Sequence, residues 1–184
     1  MRIIAGTNKG RILHPPKGLP IRPTTDLGKE SLFNILNNRI DFENLTVLDL
    51  FAGTGNISLE FASRGAAEVV AVDINSKCID YIRKASHELS LDKVFTVKTN
   101  AFSFLKSVSR KFDVIFADPP YDMKEASEIP GLVFGNSLLA PDGWLILEHD
   151  VFKNFKDMPH FAEVRRYGKV HFSFFSAEKE GQVD

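Results

Sequence analysis

Short apolar runs rich in β-branched residues alternate along this chain with segments in which apolar side chains return every third or fourth position. The runs are Thr46–Leu50, Glu68–Asp73, Val94–Val97, Asp113–Ala117 and Trp144–Leu147. Their nearly unbroken hydrophobicity is that of parallel strands covered on both faces. Between them, Leu32, Phe33, Ile35 and Leu36 mark one face of a first helix. Ile57–Arg64 reads as a helix closed by Gly65, Ser76–Ser90 as a helix with Ile79, Ile82 and Leu89 inward, and Ala101–Val108 as another. Pro141-Asp142-Gly143 predicts a turn leading into the fifth strand. Two late runs, Ala162–Tyr167 and Val170–Ser176, leave only Gly168-Lys169 between them. That gap is too short for a helical crossover, so they form a hairpin and one strand must run antiparallel. The whole describes an α/β protein with a doubly wound, seven-stranded, mostly parallel, Rossmann-like sheet. Phe172, Phe174 and Phe175 fall in its core.

The opening residues break this pattern. Gly6, Gly10, Pro15, Pro16, Gly18, Pro20 and Pro23 suit a β-hairpin and an extended arm. The chain therefore divides into an arm over residues 1–26 and an α/β domain over 27–184.

Charge sharpens the division. The formal net charge of −1 does not suggest a nucleic-acid partner. Yet Arg2, Lys9, Arg11, Lys17, Arg22 and Lys29 stand against only Asp26 and Glu30, so the first residues are basic and the body mildly acidic. Scattered cations usually form a solubilising face. Carried on a proline-rich arm ahead of the α/β domain, Arg2, Lys9, Arg11 and Arg22 are instead expected to meet RNA phosphates.

Composition adds bounds. A chain of 184 residues with 43% hydrophobic and 26% charged residues is an ordinary globular domain with room for a sizeable core. The single cysteine, Cys78, cannot form an internal disulfide and falls in a helical pattern, as a buried apolar residue would. With no leader and no bilayer-length apolar run, the expected location is cytoplasmic.

Two motifs carry chemistry. Thr46–Leu50 runs through Phe51 and Ala52 into Gly53-Thr54-Gly55, where glycines permit a tight turn and close approach of backbone N–H groups to a ligand. Asp73 ends the next strand at the distance where a parallel α/β fold offers a carboxylate to ribose hydroxyls. Downstream, Asp118-Pro119-Pro120-Tyr121 follows the strand Asp113–Ala117. The Asp118 carboxylate and the Pro119 carbonyl can both accept hydrogen bonds from an exocyclic amine, and the prolines stiffen the loop that holds them. Tyr121 supplies a flat face for a base drawn out of its stack. A strand-terminating turn is the plainer alternative for this loop. The five histidines have no metal-ligand spacing with Cys78 or each other, and no metal is expected. Glu148-His149-Asp150 reads as a solvated strand end, with His149 a candidate RNA contact.

Together the motifs resemble class I S-adenosylmethionine-dependent methyltransferases of the amino-methylating branch, and within it the RsmD-type bacterial 16S rRNA (guanine-N(2))-methyltransferases. The likeness runs through Met1-Arg-Ile-Ile-Ala-Gly6, Lys9-Gly-Arg11, Arg22-Pro-Thr-Thr-Asp26, Glu30–Leu36, Leu48–Gly55 and Asp118–Tyr121 to Gly168-Lys169-Val170. It implies S-adenosylmethionine as cofactor, with S-adenosylhomocysteine as product. It implies methylation of a guanine 2-amino group in 16S rRNA, naked or in an assembling small subunit, by a monomer. Asp118, Pro119 and Tyr121 are then the catalytic group. Asp49, Phe51, Ala52, Gly53, Gly55, Asp73, Ile74, Asn100, Ala101 and Asp118 are the cofactor contacts, with Asp73 on the ribose and Asn100 and Ala101 beside the adenine. Two positions depart from the pattern: Asn100 stands where an acid is common, and Gly28 comes early in the first helix, at a cost of about 1 kcal/mol relative to alanine. An adenine amino-methyltransferase of DNA (or, in the same class, of RNA), a non-catalytic RNA-binding module and a nicotinamide dehydrogenase remain the alternatives. The first would need a DNA-recognition domain, the second leaves both halves of the site without purpose, and the third leaves Asp118–Tyr121 unused.

Overall fold

The computed structural model describes residues 1–16, 18, 19 and 26–176. Helix α1 (Asp26–Leu36) precedes β1 (Thr46–Leu50), α2 (Asn56–Ser63), β2 (Glu68–Asp73), α3 (Ser76–Glu88), β3 (Val94–Lys98), α4 (Ala101–Ser107) and β4 (Phe112–Ala117). A 3-10 turn (Lys124–Glu128) then leads into α5 (Ile129–Gly135), β5 (Leu139–His149), β6 (Phe161–Tyr167) and β7 (Val170–Ser176). The strands form one seven-stranded sheet in the order β3-β2-β1-β4-β5-β7-β6. Neighbours from β3 to β5 pair in parallel, and β7 runs antiparallel to both β5 and β6. The sequence order reverses between β1 and β4, so a crevice opens beyond their carboxyl ends, where doubly wound sheets bind ligands.

The centre of the sheet is buried on both faces, as the unbroken apolar runs require. Val47, Leu48 and Leu50 of β1 and Val114, Ile115 and Ala117 of β4 are fully buried. Phe172, Phe174 and Phe175 are also fully buried and belong to the core.

Two parts of the chain depart from the sequence reading. Pro141-Asp142-Gly143 is not a turn ahead of the fifth strand. It lies inside β5, where the pairing register with β4 shifts and Asp142 takes a positive φ of 60°. It is an irregularity that bends the strand without ending it. Between β4 and β5 lies a helix, α5, that the periodicity does not announce, because Pro130, Gly131 and Gly135 interrupt so short a segment.

Helix α2 explains how the amino-terminal residues attach. Every residue from Asn56 to Ser63 is buried, polar ones included, so this helix has no solvent face. Glu60 accepts from the backbone N–H groups of Ile4 (2.8 Å) and Ala5 (3.0 Å), and Ser63 Oγ donates to the Ala5 carbonyl at 2.7 Å. Residues 1–13 thus lie against α2, with an antiparallel bridge between Arg2 and Ile12 and with Ile3 and Leu13 in the main core. Gly6 has φ +80°, and a Cβ there would stand 1.7 Å from the Ser63 carbonyl oxygen. Only glycine permits that approach.

Lys29 also corrects the reading of charge. Its side chain is fully buried, with Nζ 2.6 Å from the Arg2 carbonyl, 2.8 Å from Asn56 Oδ1 and 3.2 Å from Glu60 Oε2. A lysine so enclosed is an internal tie between arm, α1 and α2, and adds nothing to a phosphate-facing surface. Among the described residues no helix is long and apolar enough to cross a membrane.

Candidate cofactor and base pocket

A cavity of about 450 Å³ occupies the crevice beyond β1 and β4. One wall is the glycine turn, one the end of β2, and one the Asp118–Tyr121 loop. Of the residues singled out in the sequence, Asp49, Phe51, Ala52, Gly53, Asp73, Ile74, Asp118, Pro119 and Tyr121 line it. The two motifs, far apart in sequence, therefore face one space.

Asp73 organises the glycine turn. Its Oδ2 accepts from the Gly53 N–H at 2.8 Å and its Oδ1 from the Asn75 N–H at 2.7 Å. A carboxylate oxygen has two acceptor sites, so capacity remains for hydroxyl donors from a ligand. Asn75 in turn caps α3, accepting from Lys77 N at 2.9 Å, and Ile74 stands out 67% exposed at the rim. Phe51 holds a positive φ of 62°, uncommon for an aromatic residue, and sets its ring edge-on to Phe102 at 6.2 Å. Such strain persists where surrounding contacts enforce it and often marks a functional site.

Asp49 is 1% exposed, and its Oδ2 accepts from Ser58 N (3.0 Å) and Ser58 Oγ (2.5 Å). Burial pushes its carboxyl up to about 7, the Ser58 bonds oppose that, and the charges of Asp118 and Asp73 add to the rise. Asp49, Asp73 and Asp118 all line the cavity, with no lysine or arginine among its described lining residues. The field suits a cationic ligand.

Three predicted contacts are not brought to the cavity wall. Gly55, at φ +71°, lies beneath the turn, where a Cβ would meet Ile82 Cγ1 at 2.8 Å. Asn100 caps its own helix, its Oδ1 accepting from Phe102 N (2.9 Å) and Ser103 N (3.2 Å), and Ala101 is buried behind it. His149 is not at a solvated strand end. It is 3% exposed, and its ring nitrogens meet the Asp150 carbonyl and Ser173 Oγ, each at 2.8 Å.

Other lining residues were not named as contacts from the sequence. Thr54 lies inside the glycine turn, Asn56 and Ile57 follow it into α2, and Phe116 and Pro120 stand either side of Asp118. Cys78 also lines the cavity, its thiol pushed up to about 11 by burial and by Asp73, which makes it a wall and not a nucleophile.

Sheet order, crevice and acidic cavity define a class I methyltransferase fold. A structure of an RNA methyltransferase from Salinibacter ruber with S-adenosyl-L-homocysteine shares that fold, with TM-score 0.67 at 15% identity over 89% of this chain and 98% of that one. The chain belongs to the family described as conserved hypothetical protein 95, which it matches over residues 1–176. It is 30% identical over 187 aligned residues to ribosomal RNA small subunit methyltransferase D of Escherichia coli K12, covering 100% of this chain and 93% of that protein. A solved hypothetical protein of Thermus thermophilus superposes with TM-score 0.83 at 27% identity, over 96% of this chain and 99% of the other.

Proposed function

We propose that this protein transfers a methyl group from S-adenosylmethionine to the exocyclic 2-amino group of a guanine in 16S rRNA, acting as a cytoplasmic monomer on the RNA or an assembling small subunit. The observation that carries the proposal is that one cavity is lined by Asp49, Asp73 and Asp118-Pro119-Pro120-Tyr121 together. Its volume of about 450 Å³ is within the range of small-molecule sites, and its three carboxylates match a sulfonium ligand. The family membership and the full-length likeness to a small-subunit rRNA methyltransferase support the RNA substrate.

In this reading the cofactor lies along Asp49, Phe51, Ala52, Gly53, Asp73 and Ile74, with its ribose on Asp73. When bound, S-adenosylmethionine supplies an electrophilic methyl group and leaves as S-adenosylhomocysteine. The protein's own work is at the base. A guanine amine is a poor nucleophile because its lone pair is delocalised into the ring. Hydrogen bonds from that amine to the Asp118 carboxylate and the Pro119 carbonyl bias the nitrogen toward a pyramidal geometry, while Tyr121 stacks on the ring. Asp118 stabilises the positive charge that grows on nitrogen and receives a proton, or passes it to water. The rate gain comes from positioning and electrostatic complementarity. Arg2, Lys9 and Arg11 are exposed on the segment docked against α2 and serve as phosphate contacts of a basic arm over residues 1–26. Arg22 lies outside the described residues.

The test is to incubate the protein with labelled S-adenosylmethionine and either 16S rRNA or small-subunit particles from a strain lacking the gene, then map the labelled base. A single labelled guanine is expected; label on adenine or on a ribosomal protein would replace this reading with another amino- or amide-methyltransferase.

A further inference from the structure

A second cavity, of about 240 Å³, lies between the loop after β5 and the β6–β7 hairpin. Lys153, Lys156, Arg166 and His171 line it, His149 contributes to its wall, and no carboxylate is among its described lining residues. In a protein whose net charge is −1, so one-sided a lining is a local concentration of positive charge. Asp150, the acid at the start of the loop, turns its Oδ1 to the Phe152 N–H at 2.9 Å. Burial first, and Arg166 next, hold the His171 imidazole below its ordinary value, with Asp150 opposing them.

The same loop carries the most exposed large apolar side chain described in the structure. Phe152 is 90% exposed, and Val151 beside it is 47% exposed. A ring of this size gains by burial in a core, yet this one projects into water. The loop is also joined to the first cavity, since Lys153 Nζ donates to the Met123 carbonyl at 3.0 Å, two residues beyond Tyr121. The ends of β4 and β5, which are paired neighbours, thus place a cationic pocket and a bare aromatic ring beside the loop that receives the base.

We infer that the Val151–Lys156 loop and the β6–β7 edge form a second RNA contact, in which Lys156, Arg166 and Lys153 meet successive backbone phosphates near the target nucleotide and Phe152 stacks on a neighbouring unpaired base. The inference rests on the reading of the first cavity as a base site. Stacking fits a bare ring because any base offers a π-face, and a carboxylate-free lining fits a phosphate. This footprint is separate from the arm cations Arg2, Lys9 and Arg11.

The experiment measures binding of a single-stranded 16S rRNA fragment against log salt, for the wild type and for Lys156→Ala, Arg166→Ala and Phe152→Ala. S-adenosylmethionine affinity is measured alongside as a check on folding. Each cation variant is expected to bind more weakly and to lose about 0.7 from the salt slope. Phe152→Ala is expected to bind roughly five- to a hundredfold more weakly with the slope unchanged. Wild-type affinity and slope in the cation variants overturn the inference. So does a loss seen only on assembled particles with naked-RNA binding intact, because the face would then meet a protein. Binding is read without methyl transfer: a wild type that binds RNA through these residues but labels no guanine refutes the proposed reaction and leaves this contact standing.

Discussion

The backbone N–H of Gly53 donates to Asp73 Oδ2 at 2.8 Å, so the acid ending β2 holds the shape of the turn that follows β1. Asp73 anchors the turn, and on the proposed reading it also accepts from the ribose. Asp73→Ala is expected to weaken S-adenosylmethionine binding by about 1–3 kcal/mol, the cost of lost hydrogen bonds at a partly buried charged acceptor. Calorimetry checks this, and wild-type affinity would leave the acid a purely structural role.

On the proposed reading the main work of Asp118 is on the base, and its contribution to holding the cofactor is the smaller one. Asp118→Ala should lower turnover about a hundredfold or more, with S-adenosylmethionine binding nearly unchanged. Parallel kinetics and calorimetry separate the two. Near-normal turnover would remove the carboxylate from the mechanism.

Asp49 gives a pH dependence with a definite sign. Burial raises its carboxyl in the fold to about 7 from an ordinary 3.8, so the folded state favours the protonated form. Its contribution to stability is therefore fully present below about pH 4, declines as the unfolded chain ionises, and is gone once pH passes about 7. A sulfonium ligand favours the carboxylate, so cofactor affinity should climb between about pH 5.5 and 7.5 as Asp49 ionises. Asp49→Asn should flatten both profiles. A flat wild-type profile in denaturation and binding would contradict the assignment.

The arm cations and Lys29 should respond in opposite ways. Neutralising Arg2, Lys9 or Arg11 should weaken RNA binding with little regard to sequence and reduce the salt slope by about 0.7–0.9 for each lost contact. Lys29→Ala should instead destabilise the fold by about 3 kcal/mol, because it leaves Glu60 buried with one cation fewer, and should leave the slope alone. Arg64 Nε, 2.9 Å from Glu60 Oε1, keeps the loss toward the lower end. Thermal denaturation and salt-dependent binding distinguish the two groups.

Much of this was legible in the sequence because the central strands are buried on both faces and their apolar runs are unbroken. That Asp73 and the Asp118–Tyr121 loop share one cavity was legible too, since each ends such a run. What escaped depends on contacts between distant segments. Nothing in Asn56–Ser63 shows that its polar residues are all interior, because their partners are Lys29, Asp49 and the backbone of residues 4–8. The capping of α4 by Asn100, whose amide oxygen accepts from Phe102 N and Ser103 N, is a local contact that the sequence reading passed over. Basic residues spread from Lys153 to His171 converge only when the β6–β7 hairpin folds back beside β5.

The central claim is that Asp118 and Pro119 grip the 2-amino group of guanine. The most direct measurement is methyl transfer to 16S RNA transcribed with inosine in place of guanosine, which removes only that amino group from the base, beside the ordinary transcript. Label on the guanosine RNA and none on the inosine RNA is the predicted result. Equal labelling of both would contradict the claim, because the accepting nitrogen would then belong to another group.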